Sequence, residues 1–223
     1  MNILKMHIPS STPNNRRPGT PLTWTTVTIH NTGNPRSTAR NERAWLTNPS
    51  NTRTASFHYA VDAADIVEVI PPNEVAWHAG DAAGNRSSIG IEICESGNYS
   101  LNVENAVELA AHLLKTKGLD ARALRQHHDW SRKDCPWKIR RGHEGWNWDA
   151  FKRAVNDKLT ENTLLINNRR VDVPLKIENG RTYVLLDGPP GQRYWIQIRA
   201  LSDLLGARLE WEAATRTARM TIR

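Results

Sequence analysis

The stretch that most constrains this chain is His127-His128-Asp129-Trp130-Ser131-Arg132-Lys133-Asp134-Cys135-Pro136-Trp137. Within eleven residues it gathers imidazoles, a lysine and a cysteine, and zinc prefers imidazole nitrogen and thiolate sulfur as ligands. A catalytic zinc site takes three protein ligands and leaves the fourth tetrahedral position open. The segment supplies two of the three, so the fold must deliver another from a distant part of the chain.

His30 is the candidate for that position. It follows Val27-Thr28-Ile29, a β-branched run that reads as a buried strand, and precedes the polar turn residues Asn31-Thr32-Gly33. A strand end is a rigid support for a ligand. An ordinary core or loop histidine fits the same local pattern, and neither segment is specific alone.

Around these residues the sequence reads as a mixed α/β domain. Residues 1 to 23 carry four prolines and little periodicity, which predicts an extended, largely irregular arm lying on the domain. Thr25 to His30 predicts a strand, and Ser37 to Leu46 a helix on one sheet face. Ser56 to Val61 and Asp65 to Ile70 predict a hairpin, Trp77 to Asp81 and the Gly84-Asn85 pair a loop, and Ser88 to Cys94 a central strand. Val103, Ala106, Val107, Ala110, Leu113 and Leu114 recur at helical spacing, with Asn102 as the expected cap. A second helix is expected from about Asp149 to Leu159.

Five motifs occur in order: Thr28-Ile29-His30-Asn31-Thr32, Phe57-His58-Tyr59-Ala60-Val61-Asp62, Ala76-Trp77-His78-Ala79-Gly80-Asp81, Ile89-Gly90-Ile91-Glu92-Ile93-Cys94, and Gln126-His127 through Cys135-Pro136. Together they resemble zinc-dependent N-acetylmuramoyl-L-alanine amidases of the type that shares its fold with phage T7 lysozyme and the peptidoglycan recognition proteins. The resemblance implies a mixed central β-sheet flanked by helices and one Zn2+ per chain. It also implies a His-to-Cys spacing of eight, which His127 and Cys135 meet and His128 misses by one. The implied ligands are thus His30, His127 and Cys135, with His128 the runner-up.

The same resemblance makes Glu92 the general base and Lys133 the cation near the scissile carbonyl. Alternation along Ile89-Gly90-Ile91-Glu92-Ile93 puts the Glu92 carboxylate on the face opposite its bulky apolar neighbours, where it is costly unless paired or used. A solvent-exposed strand position is the plain alternative, and Glu95 suits that description better. His58, His78 and Trp77 are implied to line the substrate groove, although either histidine could instead brace the fold. Trp130 and Trp137 also flank the motifs, where stacking on sugar and core packing are both open.

Beyond a polar bridge the texture changes, giving expected domains at 1–158 (catalytic), 159–163 (linker) and 164–223 (small α+β). Leu164 to Val173 and Lys176 to Leu186 predict hairpins, Ile196 to Leu205 a helix, and Leu209-Glu210-Trp211 with Arg219 to Ile222 a last hairpin. Val171 to Pro174, Asn179 to Val184 and Leu204 to Ala207 with Trp211 resemble the stalk domain first named from copper amine oxidases, with an expanded loop at Gly188 to Gln192. No copper site follows, because residues 164–223 contain neither His nor Cys. A packing or dimerising module and a wall-binding module are equally compatible.

The net charge of +7 suits an anionic polymer, and it is concentrated at the end of the chain: 10 basic against 6 acidic residues lie after residue 162. Cys94 and Cys135 are the only cysteines. With Cys135 assigned as a ligand, Cys94 is expected as a small buried hydrophobe and no disulfide is expected. Neither a signal peptide nor a run approaching about 18 apolar residues is evident. The expectation is synthesis in the cytoplasm and action on the wall after release or export. Bacterial peptidoglycan is the expected partner, cleaved between N-acetylmuramic acid and L-alanine by a phage endolysin or bacterial autolysin. Membrane and nucleic-acid partners are not expected. A non-catalytic peptidoglycan-binding module is the alternative, and retention of Glu92, Lys133 and Cys135 argues against it.

Overall fold

The computed structural model describes residues 1–167, 169–171, 173–187, 193–214 and 216–222. The chain divides into two compact units, Met1–Leu159 and Thr160–Arg223. The expected loop at Gly188 to Gln192 lies outside the described residues.

The first unit contains β1 (Ile3–Lys5), β2 (Thr26–Asn31), α1 (Ala39–Thr47), β3 (Tyr59–Val61), β4 (Ile66–Glu68), α2 (Ala82–Ser87) and β5 (Ser88–Ile93). These are followed by α3 (Tyr99–Thr116), β6 (Leu124–Gln126), α4 (His127–Ser131), α5 (Trp137–Arg140) and α6 (Trp148–Thr160). Six strands form one mixed sheet in the order β1-β4-β3-β5-β2-β6, parallel except for the β3–β4 hairpin. Helices flank it, as the α/β expectation requires.

Alternation on the central strands decides what each face carries. Val27 and Ile29 of β2 and Ile89, Ile91 and Ile93 of β5 share a core with the buried stripe of α3 and with Phe151 and Val155 of α6. The intervening residues point the other way, and Ala60 and Val67 from the neighbouring strands pack there against Ala39 and Leu46 of α1. Each buried large apolar side chain stabilises this arrangement by roughly 1.5–3 kcal/mol. Thr28, His30, Ser88, Gly90 and Glu92 occupy the α1 side of the sheet by the same parity, so a core that needs only apolar alternation also sorts the polar residues onto one surface.

Several local expectations require correction. The N-terminal arm lies on the domain, as expected, but opens with a strand: β1 pairs in parallel with β4, and Ile8 and Arg16 are wholly buried. The Arg16 guanidinium donates to the carbonyls of Leu46, Asn51 and Arg53, satisfying oxygens at the end of α1 and in the loop after it. Helix α3 begins one turn earlier than expected, capped by Asn98, whose side chain accepts from the Leu101 N–H. Asn102 is instead buried inside the helix, donating to the Cys94 and Ser96 carbonyls. Asp81 caps α2, so the loop expected there closes into a helical turn. No helix among the described residues is long and apolar enough to cross a membrane.

The second unit holds β7 (Thr163–Ile166), β8 (Arg169–Val171), β9 (Leu175–Glu178), β10 (Arg181–Asp187), β11 (Arg193–Gln197), α7 (Ile198–Leu204), β12 (Arg208–Glu212) and β13 (Thr217–Thr221). Sheets β11-β10-β9 and β12-β13-β7-β8 enclose a core of Leu164, Val184, Ile198, Ala218 and Met220. The three expected hairpins are present. The expected helix at Ile196 starts later, because Ile196 and Gln197 pair with β10 as the end of β11.

Candidate functional site

His30 and Glu92 are register partners on adjacent parallel strands, so their side chains emerge side by side, with His30 Nδ1 4.0 Å from Glu92 Oε1. The far segment reaches them because β6 pairs with β2 as far as Gln126, and His127 is the next residue. A capping box at Gln126 and Asp129 starts α4 there. Arg132 then turns the chain in the left-handed region at φ 64°, and the His128 N–H donates to the Cys135 carbonyl, folding the cysteine back toward His127.

The donor atoms of His30, His127 and Cys135 all lie within 4.8 Å of one another, and all three residues are buried. His128 is half-buried and stands outside this group. Protons on the imidazoles are fixed by outer partners. His78 Nε2 donates to the Ser88 carbonyl, leaving its Nδ1 to accept from His30 Nε2 at 3.1 Å. His127 donates its remaining N–H to the Ala79 carbonyl. Both inward Nδ1 atoms therefore present lone pairs to each other at 3.0 Å, an arrangement that fits a cation between them. Burial, then the neighbouring His78 and His127, hold His30 well below its ordinary value, and burial followed by Lys133 holds His127 at about 4. Both rings are thus neutral and able to ligate. The Cys135 thiol is pushed up to about 12 by burial and by Glu92, so its thiolate form needs positive charge nearby.

Two residues missed in the sequence hold this cluster. Asn31, next to His30, gives a backbone hydrogen bond to Cys135, while its side chain accepts from the Lys138 N–H and donates to Tyr99 Oη. Glu95 accepts from the Gly33 N–H and from Trp137 Nε1, tying the turn after β2 to the turn after Cys135. The expectation of Glu95 as solvent-exposed fails: it is buried because both partners need its carboxylate.

The cluster opens into a cleft of ≈1110 Å³ whose lining includes Glu92, His127, Lys133, Trp77 and His78. Glu92 Oε2 is shielded and has no hydrogen-bond partner. Burial, reinforced by Glu42, pushes its carboxyl up to about 8. Lys133 is exposed on the cleft wall, and its ammonium opposes that shift. Trp77 is half-exposed and donates its indole N–H to the Asn15 carbonyl.

His58 does not reach the groove. It is 0% exposed, and both ring nitrogens are engaged by backbone, donating to the Glu74 carbonyl and accepting from the Gly90 N–H. Trp130 and Trp137 are likewise committed, to Thr28 Oγ1 and Glu95. Cys94 and Cys135 are both free and buried.

The family described as N-acetylmuramoyl-L-alanine amidase matches residues 20–138. N-acetylmuramoyl-L-alanine amidase XlyB of Bacillus subtilis (strain 168) is 43% identical over 140 residues, 60% of this chain and 42% of the relative. CwlA of the same strain is 38% identical over 157 residues, 67% of this chain and 56% of the relative. The chain thus spans about half the length of these curated relatives. The solved catalytic domain of XlyA superposes with a TM-score of 0.63 at 37% identity, covering 70% of this chain and 99% of that domain. The protein belongs to the N-acetylmuramoyl-L-alanine amidase family.

Proposed function

We propose that the protein is a zinc-dependent peptidoglycan amidase that hydrolyses the bond between N-acetylmuramic acid and L-alanine, acting as a phage endolysin or bacterial autolysin. The observation that carries this reading is the convergence of His30, His127 and Cys135 beside the unpartnered Glu92 Oε2. Bound by those three donors, Zn2+ would supply Lewis acidity toward the scissile carbonyl and make water more acidic.

Glu92 then takes the proton from the attacking water at Oε2 and returns it to the departing amide nitrogen as the C–N bond breaks. Lys133 faces the oxygen that gains negative charge. Trp77 lines the groove for muramyl or peptide. We assign His78 to orienting His30 and His58 to bracing the floor beneath it, in place of the substrate contacts expected for them. The stalk-like second unit serves wall attachment or dimerisation.

Chelation is expected to abolish wall lysis, and added zinc to restore it at about one ion per chain. Glu92→Gln keeps the shape while removing the base, so turnover should fall by roughly two to four orders of magnitude with zinc content retained. Near-normal turnover in that variant would reduce Glu92 to a structural residue, and lysis indifferent to chelator would leave metal-free chemistry in place of the zinc.

A further inference from the structure

The second unit has an opening of its own. Directly opposed residues of antiparallel strands share a face, so Leu209 and Trp211 of β12 lie on the side of buried Met220 and Ala218. On β9, Ile177 opposes Thr182, which shares a face of β10 with buried Val184. By alternation Ile177 and Trp211 belong inside, yet they are 42% and 43% exposed. Between them the two sheets leave a cavity of ≈400 Å³, with buried Ile198 in its lining and Arg181 and Arg199 also bordering it. This size, with apolar and aromatic walls and a few convergent polar groups, is that of a small-ligand site.

The charges at the opening favour an anion. Glu210 is neutralised by Arg208, whereas Arg181 and Arg199 meet no carboxylate among the described residues. The stretch after residue 162 carries 10 basic and 6 acidic residues, so a second copy would bring like charge to the same place. A polyol phosphate would satisfy the arginines and leave Ile177 and Trp211 without a partner. A short peptide with free carboxylates and aliphatic side chains meets both requirements.

We propose that this opening binds the stem peptide of peptidoglycan and so holds the chain on the wall. The proposal rests on peptidoglycan being the substrate of the cleft, but the two are separable by experiment. Full-length Glu92→Gln protein, which leaves the wall uncut, is sedimented with purified walls stripped of anionic polymers. Adding Trp211→Ala, or the pair Arg181→Glu and Arg199→Glu, should raise the apparent Kd about tenfold. The same changes with Glu92 intact should leave cleavage of a soluble muramyl tetrapeptide unchanged.

The arginines are exposed, so the pair remains informative if Trp211→Ala lowers the unfolding midpoint. Undiminished retention of the charge pair overturns the proposal. So does an effect confined to walls that keep their anionic polymers, or a dimer in the parent that Trp211→Ala dissociates. If the parent fails to cleave the soluble peptide while wall retention still depends on these residues, the amidase reading falls and the pocket stands.

Discussion

Asn31 joins the two segments that meet at the proposed metal ligands. Its carboxamide bridges the Lys138 N–H and the Tyr99 hydroxyl, and its backbone serves Cys135. Asn31→Ala keeps the backbone donor and removes the bridge, so Cys135 should be held less firmly. Outer-shell losses of this kind weaken metal binding roughly 10- to 100-fold, measurable by zinc competition with a chromophoric chelator. An unchanged affinity would reduce Asn31 to a link within the fold. Such residues escape a reading of sequence because an asparagine at a strand end has no period, and this one bonds across 107 positions. His30 and Glu92 stand out in sequence for the opposite reason, one at the end of a β-branched run and the other alternating with isoleucines, and the five-motif resemblance gives them their expected roles. His58 was visible as a motif residue while its role was not: its partners are backbone atoms of Gly90 and of the loop at Glu74, which only the folded chain brings together.

At the scale of elements, β5 carries an unusual demand at Gly90. A Cβ there would stand 2.6 Å from His78 Cγ, against a ring that in turn orients His30. Gly90→Ala must push His78 or the strand aside, costing about 1–3 kcal/mol as an overpacked core position. Denaturant unfolding of the metal-free variant checks this, and stability equal to the parent would show that the ring gives way freely. The longest elements were legible because they repeat their pattern often enough: α3 shows its apolar stripe over 18 residues. Its start was misread because Asn98 and Asn102 are both good caps one turn apart, and only packing buries the second. Elements such as β6, α4 and α5, of three to five residues, are too short to display any period, and the contacts of β2 and Asn31 define them instead.

For the whole molecule, the buried imidazoles couple folding to pH. His58 is held at about 4 and His78 at about 3, both chiefly by burial, and His30 and His127 are lowered as well. Below 6.5 the unfolded chain therefore binds more protons than the folded one, and stability falls with pH toward 4. Glu92 works the other way: raised to about 8, it favours the fold as pH drops from 8 to 4.5. Each group is worth about 1.4 kcal/mol per pH unit while it titrates in one state only, so four histidines outweigh one carboxyl. Metal-free protein should lose at least about 2 kcal/mol of unfolding free energy between pH 7 and pH 5. Denaturant titration in chelator at the two pH values measures it, and a flat or rising profile would mean that the histidines are charged in the fold.

Mass analysis of fragments released from purified walls reads directly which bond the proposed amidase cuts. The predicted products are stem peptides with a free L-alanine amino terminus beside glycan strands whose N-acetylmuramic acid bears a free lactyl carboxylate. New reducing sugar ends, or peptides cut between their own residues with L-alanine still joined to the sugar, would show that the enzyme is not this amidase.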